Sequence, residues 1–162
     1  MNKLAIAMAL AASPALSEDG GALVSFQVVK PETALRLAQM AMKDCRGEGY
    51  RVVVAVVDRF GATQVFLRDR SANAHAKEAA RHKTWSAVSF RADTITLAEQ
   101  TESATTPSRI RHISQALPLG CVAADATGSL VCGVGASGAT GADIDDICAR
   151  AEIMAVEDEL AF

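Results

Sequence analysis

Three histidines occur in the chain, and two are spaced for joint work. His75 and His82 are seven residues apart, a separation that returns both to nearly the same angle on a helix. Two imidazoles on one face form a ligand pair for a metal ion or for porphyrin iron, and equally a pair of plain surface side chains. His112 stands in a short basic run with Arg109 and Arg111, while Arg81 and Lys83 add positive charge beside His82. Guanidinium forks suit a small anionic ligand such as a carboxylate or a haem propionate, and a solvated loop uses the same residues. No GxSxG elbow and no Cys–His pairing is present to supply a nucleophile.

The four cysteines, Cys45, Cys121, Cys132 and Cys148, are not spaced as CxxC or CxxCH, which argues against structural zinc, thioredoxin chemistry and covalent haem attachment. Cys121 and Cys132 flank Asp125-Ala126-Thr127-Gly128. A two-residue hairpin loop at Ala126-Thr127 would set them opposite one another, so they are a candidate bridge. Cys45 and Cys148 fall in helical stretches and pair if those helices are neighbours. Four buried thiols are the alternative. The run Gly133 to Gly138 has the look of a phosphate turn but neither the dinucleotide spacing nor the Lys-Ser/Thr of a P-loop. Asp143, Asp145 and Asp146 follow, which would repel phosphate and suit a helix start. The run therefore reads as a tight strand-to-helix turn, and no full oxygen-ligand loop for a cation is present.

The elements that position these groups begin after a leader. Lys3, the apolar run Leu4 to Ala12, Pro14, and the small residues Ala15 and Ser17 have the three parts of a secretory signal cleaved before Glu18. We therefore expect a signal peptide over 1–17, one domain over 18–162, and a periplasmic or secreted product in a disulfide-permissive space. The net charge is −3, becoming −4 without Lys3. That balance excludes nucleic acid and an anionic membrane as main partners. At 4% aromatic residues the chain has no stacking platform for bases or sugars.

Within the domain, Pro31 to Glu48 carries apolar residues at one-face helical spacing, and Arg51 to Val57 is a valine-rich run suited to a strand covered on both sides. Thr63 to Leu67 returns as a hairpin arm, and Ser71 to Phe90 reads as a long helix with a stripe of small residues. A helical turn around Thr96 to Thr101 and a polar loop come next. Gly120 to Ala124 and Leu130 to Val134 form a second hairpin, and Asp143 to Leu160 a last helix. Helix, two strands, helix, loop, two strands, helix describes an α+β fold: an antiparallel sheet of two hairpins flanked by helices.

Val53-Ala55-Val56-Val57-Asp58 with Gly61, the block Ala79 to Phe90 running into Asp93-Thr94, Leu117-Pro118-Leu119, and Gly133 to Gly138 before Asp145 together resemble the GlcG/HbpS family of haem-binding proteins, related to the C-terminal domain of PduO. The resemblance spans about Lys30 to Ala155. It implies an α/β sandwich of that type and a homo-oligomer that handles haem or haem-derived iron, with a sensor or enzyme as a further partner. It places Lys83 at a recurrent lysine position and Thr94 near the family's haem site. With the residues read above, the candidate iron-side groups are His75, His82, His112 and Thr94, with Arg109 and Arg111 as candidate propionate partners. Pro107 to Gln115 departs from the family's glycine-rich approach to the second hairpin. The alternative role is an accessory subunit or enzyme acting on a small carboxylate or aldehyde.

Overall fold

The computed structural model describes residues 22–102, 106–126 and 128–160, so the leader read over 1–17 lies outside the described residues. Apolar spacing builds the first helix, α1 (Pro31–Gly47), in which Ala34, Leu37, Ala38, Ala41, Met42 and Cys45 are buried. Their three- and four-residue intervals make one stripe, and proline at the first helical position gives up no hydrogen bond. The valine run becomes β1 (Val53–Asp58), with Val53 to Val57 fully buried because helices cover both faces of the sheet. It pairs antiparallel with β2 (Thr63–Arg68). Between them Gly61 takes φ +82°, and Asp58 Oδ1 accepts the N–H groups of Phe60 and Ala62.

The second helix, α2 (Ala76–Phe90), begins five residues later than its sequence pattern suggests. Residues 71–75 are held in turns instead, with Ala72 N–H bonded to Asp69 O and Ala76 N–H to Asn73 O. The stretch read as a helical turn and polar loop holds α3 (Thr94–Glu102) and a 3₁₀ turn (Thr106–His112). β3 (Val122–Ala126) and β4 (Ser129–Ser137) form the second hairpin, and α4 (Ala142–Leu160) follows. The sheet order is β2-β1-β4-β3, antiparallel throughout, so each hairpin contributes one central and one edge strand. α1 and α4 share the core with Val54, Val56, Cys132 and Val134 on one face, while α2 packs on Val53 and Ala55 on the other. The α+β architecture is the one expected.

Two expectations are corrected. β4 continues through Gly133 and Gly135 to Ser137, so all of the supposed turn from Gly133 to Gly138 except its last residue is strand. The reason is close packing. A Cβ at Gly133 would lie 2.9 Å from Val88 Cγ1, and one at Gly135 would run into Thr84 Oγ1 and Cys121 Sγ. Cys121 and Cys132 are both free, not bridged. A register shift between Ala124 and Asp125 puts Cys132 opposite Ala124, and Val122 opposite Val134. Cys121 therefore sits three positions away from Cys132 and on the α2 side, whereas Cys132 belongs to the core beneath α1 and α4. The disulfide joins Cys45 and Cys148, which the packing of α1 on α4 brings to a Cα separation of 5.5 Å.

Candidate functional site

The α2 helix divides its chemistry between a solvent-facing side and a buried side. On the first, Arg81 Nη2 donates to Glu78 Oε2 at 2.9 Å and lies 2.9 Å from His82 Nε2. A guanidinium has no lone pair to offer, so Nε2 is the acceptor in that contact, and Glu78 Oε2 lies 3.7 Å from the same nitrogen. The Arg81 hydrogen bond holds the Glu78 carboxyl below the usual range. His82 is partly exposed, and His75 is exposed at the position preceding α2. Seven residues of helix separate them by about 10 Å of rise, so each can serve as a single ligand but they do not make one chelate. Among the described residues no group of three or more His, Cys, Asp or Glu is arranged to hold a metal ion.

The buried side is polar where α2 meets the ends of β4 and α4. Lys83 Nζ donates to Asp145 Oδ2 at 2.5 Å and to Ala136 O at 3.3 Å, with side-chain exposures of 3% and 6% for the ion pair. Asp145 Oδ1 accepts from Ala139 N–H at 3.0 Å, so both of its oxygens are satisfied. Next to it, Asp146 Oδ2 accepts from Arg150 Nε and Nη2, while its buried Oδ1 has no partner. Burial pushes the Asp146 carboxyl above the ordinary range. Arg150 Nη2 also donates to Asp93 Oδ2 at 2.8 Å, and Asp93 Oδ1 accepts the Ala123 N–H. These bonds tie α4 to the segment between α2 and α3 and to the edge strand. Cys121 donates to Val134 O at 2.9 Å; burial pushes its thiol up to about 12 and that of Cys132 to about 12, so neither is a thiolate at neutral pH.

The remaining sequence candidates are dispersed. Thr94 is fully buried, with its N–H 2.9 Å and its hydroxyl 3.4 Å from Cys121 O, so it pins the start of α3 to the sheet. Arg111 reaches back to Thr101 O, Thr101 Oγ1 and Ala98 O, closing the C-terminal carbonyls of α3. Arg109 and His112 are exposed on the 3₁₀ turn. His82 thus lies on α2 and His75 at the position before it, outside the helix that the sequence pattern assigns it, while Arg109, Arg111 and His112 belong to another unit of the surface. Sequence reading missed the pairing of Lys83 with Asp145; an isolated lysine in an alanine stripe was its one local signal.

The sequence matches the family described as haem degrading protein HbpS-like over residues 29–154. The chain belongs to this family. A crystal structure of HbpS is 34% identical, with a TM-score of 0.79 over 85% of this chain and 96% of that one. A double mutant of HbpS from Streptomyces reticuli is 32% identical at the same TM-score, covering 94% and 99% of the two chains. The crystal structure of a PduOC:haem complex shares the fold, with a TM-score of 0.72, 24% identity and coverage of 79% and 94%. Comparison with curated protein sequences finds no match. A haem-related function follows from membership. The donor chemistry of this HbpS-like chain fits that group. His75 offers an exposed imidazole, His82 is partly exposed with its Nε2 taken up by Arg81, and the enclosed, hydrogen-bonded Thr94 hydroxyl offers little to an incoming iron.

Proposed function

We propose that this chain is an exported haem-binding protein that handles haem or haem-derived iron as a homo-oligomer. The observation that carries the reading is the HbpS-like match over residues 29–154, with 34% identity to HbpS across nearly that protein's whole length. The Cys45–Cys148 disulfide supports export, since such bonds persist in oxidising compartments. Bound haem would supply a redox-active iron. The protein's part is to present a ligand: His82 Nε2 lies 2.9 Å from Arg81 Nη2, so it reaches iron only when Arg81 moves aside. Glu78 keeps the Arg81 guanidinium on that side of the helix. His75, with no side-chain cap bond, is the second accessible imidazole.

Titration of residues 18–162 with ferric haem, followed by its absorption band and by quenching of Trp85, tests this. Saturation at a fixed ratio is expected, with His82→Ala or His75→Ala altering the spectrum. A linear, non-saturating response would overturn the reading. Sedimentation of the same sample checks the oligomer.

A further inference from the structure

Four arginines from three segments flank the corner where α1 ends, β1 begins and β2 ends. Arg46 is in the last turn of α1, Arg51 precedes β1, Arg68 closes β2 opposite Val53, and Arg70 lies just beyond. All four are exposed. Asp69, between Arg68 and Arg70 in sequence, bonds Val52 O through its N–H and buries its carboxylate on the α1 side of the sheet, whereas Arg68, opposite Val53, is on the α2 side. Arg46 Nε donates to Asp69 Oδ2 at 2.7 Å, and the Arg70 N–H donates to Oδ1 at 2.7 Å. The Arg46 hydrogen bond, with the charges of Arg46 and Arg51, holds this carboxyl below the usual range.

That carboxylate offsets one guanidinium and leaves the others uncompensated. Arg51 donates to the neutral oxygen of Tyr50 and Arg68 to that of Ala72, while the Arg70 side chain has no hydrogen-bond or ion-pair partner among the described residues. The nearby acids of α1, Asp44 and Glu48, line a cavity on the α4 side with Ile147 and Cys148 instead. In a chain of net charge −3, such a local excess of positive charge is a feature of the fold.

We propose that this corner is a carboxylate-binding site, in which Arg51, Arg68 and Arg70 direct their free N–H groups at the ligand and Asp69 fixes Arg46 behind them. The ligand carboxylates are the propionates of haem or those of a free small acid. The first source rests on the haem reading above; the site itself does not. Ala72, the oxygen that orients Arg68, lies three residues before the exposed His75, so the corner and that imidazole are neighbours along the chain.

The test uses the Arg51→Gln/Arg70→Gln variant, whose altered side chains support no core contact, beside a Lys43→Gln/Lys77→Gln control of equal charge change. The probes are citrate by calorimetry, and ferric haem and its dimethyl ester by absorption. The wild-type protein and the control are expected to bind at least one acid probe saturably, and the arginine variant to bind it about fivefold or more weakly. The ester, which has no carboxylates, should not distinguish them. Weakened citrate binding with no haem binding by any form would sink the haem reading and keep the site. Weakened haem binding alone would assign the site to propionates. The proposal is overturned if neither acid probe binds the arginine variant more weakly than the control.

Discussion

Replacing Lys83 by Met keeps most of the aliphatic stem in place and removes the cation from a contact whose two side chains are 3% and 6% exposed. Asp145 Oδ1 would still accept from Ala139, but Oδ2 would face a dry interior with no donor. Breaking a buried pair from one side costs about 3–5 kcal/mol, because the remaining charge is stranded. Against a typical stability of about 5–15 kcal/mol that is a large fraction. In a domain of this size it lowers Tm by about 10 °C or more. Lys83→Met/Asp145→Asn removes both charges while leaving an oxygen for Ala139, so it should regain most of the loss. Urea denaturation of the wild type, both single variants and the double variant gives the coupling directly. A Lys83→Met cost below about 1 kcal/mol, or a double variant as unstable as the sum of the singles, would refute the reasoning.

Alkylation of the denatured protein without reductant should label two thiols, Cys121 and Cys132, and with reductant four; Cys45→Ser/Cys148→Ser should cost about 4.7 kcal/mol for a closure of 103 residues, read by the same urea assay. Gly135→Ala should destabilise by about 1–3 kcal/mol, with a smaller loss in a Thr84→Ala background, because the added methyl meets Thr84 Oγ1; equal losses in both backgrounds would remove Thr84 from the explanation. Burial raises the Asp146 carboxyl, so the folded state holds its proton more tightly than the unfolded chain and stability falls as pH rises from the ordinary value near 3.8 through the raised one. Asp146→Asn should flatten that part of the pH–stability curve, and an unchanged slope would exclude Asp146 as its source.

The parts of the fold that were legible in the sequence are those with an uninterrupted period. The α1 stripe and the β1 valines state which residues are buried, and the structure buries them. The glycines of β4 were read as a turn because glycine ordinarily weakens a strand. Here their two-residue spacing, Gly133 and Gly135 against Val134 and Ala136, was itself the strand signal: the bare face is where α2 rests. Arg111 was read as a ligand group, but an arginine after a short helix has a nearer use in closing that helix's carbonyls. Lys83–Asp145 and the arginine corner were invisible for a common reason. The first joins residues 62 apart, and the second gathers side chains from three elements, so no local window contains either.

The Cys45–Cys148 bond has a covalent consequence beyond stability. It closes a ring that contains every strand of the sheet, with α2 and α3 inside it. A protease that cuts the backbone once anywhere within that ring opens the loop without releasing a fragment. The two pieces stay tethered at α1 and α4, and they part only after reduction. While that bond stays oxidised, the chain can carry a nick and remain one molecule.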